Sequence, residues 1–227
     1  MRILPMFPAV AVLLALMTPS AQAQHPQGPF ARVVVLKPRP DQAANFAAGY
    51  ERHLVWHRNN KDPWTWHGWT FVLGERVGQF MDGTFGHAAT DFDHAVNPAE
   101  DSADNSRNVA PHADFVSHAV YERLEHASKG ALLPDDSPYM VMTTYAVVPG
   151  QELAFESAIG GLAEAELGQR RSWYRLRVGG QPQYVLIRPA QTFSGGATLP
   201  GIHLPAGLAE RVQSELLRYQ PKLSYVP

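Results

Sequence analysis

None of the 227 residues is cysteine. That excludes disulfides and an acylated-cysteine anchor, whatever the redox compartment, so stability must come from a buried core. Long apolar runs are scarce as well. The run at 9–17 (AVAVLLALM) is too short to cross a bilayer, which takes roughly 20 residues. It follows Met1-Arg2 and precedes TPSAQAQ, the order of a secretory leader over residues 1–23 with cleavage after Ala23. A short flexible segment at 24–30 follows, and the expected location is outside the cytoplasm, in a periplasm. Charge of one sign is also lacking. The 19 Lys and Arg, one fewer without Arg2, stand against 21 Asp and Glu, which is no balance for a nucleic-acid partner.

What is present is a duplication. Pro40, Gln42 and Phe46 match Pro149, Gln151 and Phe155 at one offset; Trp66 lies over Trp173, and Glu122 and Leu124 over Glu215 and Leu217. Each half reads strand, helix, strand, strand, helix, strand. In the first the strands are 33–37, 64–73 and 77–81, with helices at 41–60 and 115–126. In the second the strands are 140–148, 172–178, 184–188 and 222–226, with helices at 151–169 and 206–219. Residues 96–113, rich in Pro, Asn and Asp, read as a long exposed loop. The repeats span 31–134 and 139–227. The order βαββαβ is the ferredoxin-like unit. The strand at 64–73 is bulky on both faces, as a strand buried on both sides must be. Two α+β units packed sheet to sheet as one single-chain barrel answer that need, and a monomer is expected.

The duplicated pattern, the PGQE entry at 149–152, and Trp173 followed by Gly179 and Gly180 resemble the dimeric α+β barrel superfamily. That group includes antibiotic-biosynthesis-monooxygenase-like domains, haem-degrading enzymes, chlorite dismutases and stress-response barrel proteins. The resemblance implies that haem, if used, has a histidine axial ligand, for which His57, His87 and His118 are available. Haem-degrading members place an asparagine on the first strand; RVVVLKP has none, so no catalytic residue carries over.

Two candidate sites follow. Trp64 and Trp66 share a face with Arg175 and Arg177, which would line the barrel interior as a pocket for a small aromatic, apolar or anionic ligand; the plainer reading is core. His53 and His57, four apart on the first helix, share a face and can grip a metal ion with His67 as third ligand and Asp62 or Glu51 behind. Their plainer reading is helix surface. Eight of the ten histidines lie between 53 and 126, and the second repeat has Leu162 and Glu166 where the first has His53 and His57. The expected function is small-ligand binding by an exported barrel protein. The alternatives are a haem- or oxygen-using enzyme centred on the first repeat, or an envelope interaction protein using 96–113. TFSGGATLPG (192–201) reads as a loop, and Ser194 lacks the context of a nucleophile.

Overall fold

The structure, a computed structural model, describes residues 28–162 and 170–227. The leader at 1–23, the start of the 24–30 segment and the expected continuation of the third helix to Gln169 lie outside the described residues. The elements run β1 (Phe30–Pro38), α1 (Ala43–Asn59), β2 (His67–Leu73), β3 (Phe80–His87), α2 (Pro98–Asn108) and β4 (Ala113–Arg123). The second half repeats the order with β5 (Tyr139–Val147), α3 (Glu152–Gly160), β6 (Ser172–Val178), β7 (Gln183–Ala190), α4 (Phe193–Ala197) and β8 (Ala209–Tyr219). The eight strands form one closed antiparallel barrel in the order β1-β3-β2-β8-β5-β7-β6-β4. Two seams join the repeats: β2 on β8, with Trp69 opposite Tyr219, and β4 on β6, with Glu122 opposite Arg175. Closure leaves the chain with the tandem α+β barrel architecture that its repeats require.

Alternation on β1 explains the layering. Ala31, Val33 and Val35 point into the barrel with Trp69, Phe71, Met81, Tyr174 and Leu217, while Val34 and Leu36 point outward beneath α1. Phe46, Tyr50 and Leu54 of α1 cover that outer face together with Phe80 and Trp66. Phe155 and Ile159 of α3 do the same in the second half over Tyr145, Trp173 and Tyr184. Trp69 and Phe71 are 0% and 1% exposed; a fully buried side chain of this kind contributes roughly 1.5–3 kcal/mol. The interior is filled by such side chains, and the void among Val33, Met81, Phe85, Tyr121 and Tyr174 is about 20 Å³.

Several sequence-based assignments are corrected. Residues 115–126 and 206–219 are not helices but the strands β4 and β8. Both carry irregularities that break the period of two: β4 shifts register between Ser117 and Phe115, and Leu216 and Leu217 of β8 are both buried. Most of the expected loop at 96–113 is the helix α2, and 192–201 contains the short helix α4. The final strand at 222–226 reduces to a 3₁₀ turn at Pro221–Leu223 and one bridge, Trp66 to Tyr225. The order βαββαβ survives because helix and strand both moved upstream. The ladders also reset the repeat alignment. Trp69 and Tyr174 occupy equivalent places, opposite Met81 and Val185, so Trp66 corresponds to Arg171 rather than to Trp173. Phe30 and Tyr139 face Glu122 and Arg218, so Glu122 corresponds to Arg218 rather than to Glu215.

Candidate metal centre

Helix α1 buries Phe46, Tyr50 and Leu54 along one stripe, and His53 and His57 sit at its edge, both 4% exposed. Helix α2 packs against that edge. Gly49 permits the approach, since a Cβ there would stand 1.9 Å from the Asn108 carbonyl oxygen. Along α2, Asp101, Asp104, Asn105 and Asn108 recur at helical spacing and face α1. Asp104 Oδ2 lies 2.9 Å from His53 Nδ1, and Arg52 Nε donates to Asn108 Oδ1 at 3.0 Å.

The two imidazoles are held alike. His53 Nδ1 is bound to Asp104, and His57 Nδ1 is 2.7 Å from Asp62 Oδ2. Asp62 also accepts from the Trp64 amide and the Trp66 indole, both at 2.9 Å. Burial works against its charge, yet the bonds from His57, Trp64 and Trp66 keep its carboxyl below the usual range. Burial pushes His53 down, partly countered by the Asp104 bond, so its ring is held neutral. With each Nδ1 on a carboxylate, both rings turn Nε2 inward, and the two Nε2 atoms are 3.2 Å apart. Asp101 Oδ1 lies 3.3 Å from one and 4.0 Å from the other, and Asn105 Nδ2 donates to His53 Nε2 at 3.1 Å.

Two imidazole nitrogens at this distance need a proton or a metal ion between them, since two bare lone pairs repel. All three ligand atoms lie within 4.8 Å of one another. Tetrahedral coordination at about 2.0–2.1 Å places neighbouring ligand atoms about 3.3 Å apart, close to the separation found. Outer carboxylates on both Nδ1 atoms are what histidine metal ligands ordinarily carry.

The expected third ligand, His67, is elsewhere. Adjacent residues on β2 point to opposite sides, so Trp66 faces α1 while His67 faces the barrel side, near Trp69 and Tyr219. Its Nδ1 is buried with no hydrogen-bond partner among the described residues, and burial lowers its pKa. Asp101 takes its place. Asp62 does stand behind His57 as expected, whereas Glu51 is exposed on the far side of α1.

The tryptophan and arginine group also needs relocating. Trp64 and Trp66 do share a face with Arg175 and Arg177, but that face is the outside of the barrel. Trp66 is buried under α1, and Trp64 packs against His87 at a tilt and against Phe92 edge-on. Arg175 pairs with Glu122 and Glu156, and Arg177 reaches Glu122 at 3.5 Å, at the opposite repeat's seam. The four residues form no common pocket; the inward positions on these strands belong to Trp69, Phe71 and Tyr174.

A cavity of about 60 Å³ opens beside the histidines, walled by the outer face of β1, β3 and β4. Across it, the Tyr50 hydroxyl donates to Asp82 Oδ2 at 2.5 Å, and burial pushes the Asp82 carboxyl up to about 6. Arg32 Nε donates to His118 Nε2 at 2.5 Å, with the guanidinium carbon 5.9 Å from the Trp66 ring centre. Haem does not fit these residues. Pockets for molecules of that class run to about 300–1,000 Å³. Of its possible axial ligands, His57 turns Nε2 toward His53 and Asp101 within this small cavity, His118 accepts from Arg32, and His87 Nε2 is 2.5 Å from Thr84 Oγ1.

No protein-family model and no curated protein matches the chain. Solved structures do. A monooxygenase-like protein of Fusobacterium nucleatum subsp. nucleatum aligns with a TM-score of 0.56 at 11% identity, over 85% of this chain and 93% of that one. A mutant chlorite dismutase of Candidatus Nitrospira defluvii, in complex with cyanide, gives 0.56 at 9% identity over 87% and 92%. An anthrone oxidase-like protein gives 0.52 at 11% identity over 85% and 92%. Identities this low carry the fold and nothing finer: the chain has the fold of the dimeric α+β barrel superfamily, shared with monooxygenase-like and chlorite dismutase-like structures, with both halves of the barrel in one chain.

Proposed function

We propose that the protein is an oxygen-using enzyme with one mononuclear non-haem iron centre, held in the first repeat by His53, His57 and Asp101. The observation that carries this reading is the pair of inward Nε2 atoms 3.2 Å apart, each ring fixed through Nδ1 by its own carboxylate. Two histidines and one carboxylate with open positions on one side are the ligand set of non-haem iron oxygenases. An iron(II) ion so held supplies a site at which dioxygen and a substrate can meet. The chain's own contribution is to orient the ligands, through Asp62 and Asp104, and to limit water to a small cavity. The oxygen chemistry of structurally similar proteins supports the direction but not the substrate.

The chain is further proposed to act as an exported, periplasmic monomer, on the strength of its charged start, apolar run and Ala-Gln-Ala signal, and of a barrel closed within one chain. Among the described residues no helix is long and apolar enough to cross a membrane.

Anaerobic loading of the metal-free protein with iron(II) should give one ion per chain, and admitting air with candidate substrates should consume oxygen. His57→Ala and Asp101→Ala should abolish tight loading while the circular dichroism spectrum is retained. Wild-type protein that takes up no divalent ion would sink the reading.

A further inference from the structure

The cavity beside the histidines has a second functional wall. Arg32 projects from the outer face of β1, and only its Nε is engaged, by His118 Nε2. Among the described residues its terminal nitrogens make no hydrogen bond or ion pair, yet the side chain lines the same cavity as His53, His57 and Asp101. Of the two carboxylates on this cavity, Asp101 belongs to the metal cluster, and Asp82 accepts from the Tyr50 hydroxyl through Oδ2, its buried Oδ1 having no hydrogen-bond partner among the described residues. A guanidinium braced at Nε and free at both ends presents a planar fork of donors, the geometry that grips a carboxylate through two parallel bonds. Val34, Leu36 and Phe115 give the remaining wall an apolar character, and Phe115, 49% exposed, stands at the mouth. About 60 Å³ admits a few heavy atoms, since one water takes about 30 Å³.

We infer that the molecule brought to the metal is an organic carboxylate, its anionic head held by the Arg32 fork and its apolar remainder directed past Phe115. The inference rests on the metal reading in one respect: an ion on Asp101 offsets the negative charge that would otherwise repel the head group. His118 acts as a positioning residue, fixing the plane of the fork by accepting from Nε.

The test uses cobalt(II) in place of iron, titrated into metal-free protein, followed by acetate, butyrate and the uncharged acetamide. Acetate and butyrate should perturb the cobalt absorption bands and bind at least tenfold more tightly than acetamide, with butyrate the tighter acid. Arg32→Gln should keep one cobalt per chain and lose that preference, and Arg32→Lys should keep only part of it. His118→Gln, which retains an acceptor for Nε, should stay near wild type, whereas His118→Leu should fall toward Arg32→Gln. Equal binding of acetate and acetamide by cobalt-loaded protein would overturn the inference while leaving the metal centre standing. If no cobalt binds, the metal reading fails separately, and tryptophan fluorescence decides the carboxylate site through Trp66. An acetate response lost in Arg32→Gln would uphold it, and no response would end it.

Discussion

Single residues set the electrostatics of the site. Asp104 and Asp62 fix the two imidazoles, and losing an outer partner of this kind costs about 10–100-fold in metal affinity. Asp104→Asn should therefore weaken cobalt binding by that factor without changing stoichiometry, as read by competition with a chelating dye. Asp82 supplies a stability test of its own. Its carboxyl is raised from 3.8 to about 6 by burial, so between those values the folded chain keeps a proton that the unfolded chain has lost. That contribution is fully present below about pH 4 and is lost as pH rises through 6, on the order of 3 kcal/mol. Melting temperature should thus fall more steeply from pH 4 to 6.5 in wild type than in Asp82→Asn; parallel curves would contradict the assignment. At this scale the sequence was half legible. His53 and His57 stood out by spacing, and their carboxylate support at Asp62 was close by in the chain. Asp101 and Asp104 could be found only by knowing which segment folds back over α1.

Among the elements, α2 holds the interest. It buries little apolar surface: only Asp104 is buried within it, and Val109 follows just after. Its tie to α1 is chiefly polar, so a metal ion bridging His53, His57 and Asp101 would act as the clasp between the helices. Amide exchange in α2 should slow several-fold on metal loading while the barrel strands stay unchanged. Gly49→Ala, whose Cβ meets the Asn108 carbonyl, should displace α2 and abolish metal uptake, with the barrel still folding. The signs of this helix were present in NPAEDSADNSRN. Pro98 sits in the first turn behind Asn97, acids follow at Glu100 and Asp101, and Arg107 lies in the last turn. Polarity hid them, because a helix with almost no apolar stripe gives no hydrophobic period. The error at β4 and β8 has the opposite cause: bulges let apolar side chains fall at helical intervals along strands.

For the whole molecule, the two seams decide whether one chain suffices. At the β2–β8 seam the Glu215 side chain, fully buried, is held by Arg76, whose guanidinium lies 4.2 Å from the Phe71 ring centre. At the β4–β6 seam the ion pair of Arg175 with Glu122 is a quarter to a third exposed. Arg76→Ala strands a buried carboxylate and should cost about 3–5 kcal/mol, against at most about 1 kcal/mol for Glu122→Ala. Chemical denaturation would rank the two. Light scattering should return the mass of one chain for the folded protein, since both halves of the barrel are covalently joined. The duplication and the barrel were readable because matched Pro, Gln and Phe residues survive in both copies and because a strand bulky on both faces demands cover on both. Which face turned inward was not readable. Trp64 and Trp66 look like cavity lining until the indole of Trp66 is seen bonded to Asp62 beneath a helix.

A barrel assembled from two identical chains must present every feature twice, and a second occupied site can then report on the first. Covalent joining removes that obligation. Leu162 aligns with His53, so on the proposed metal reading the second half retains the architecture without the ligand pair. Saturation of this protein should accordingly follow a simple hyperbola with a Hill slope of unity, blind to protein concentration, because the second repeat carries a single histidine, His203, and no pair to match His53 and His57.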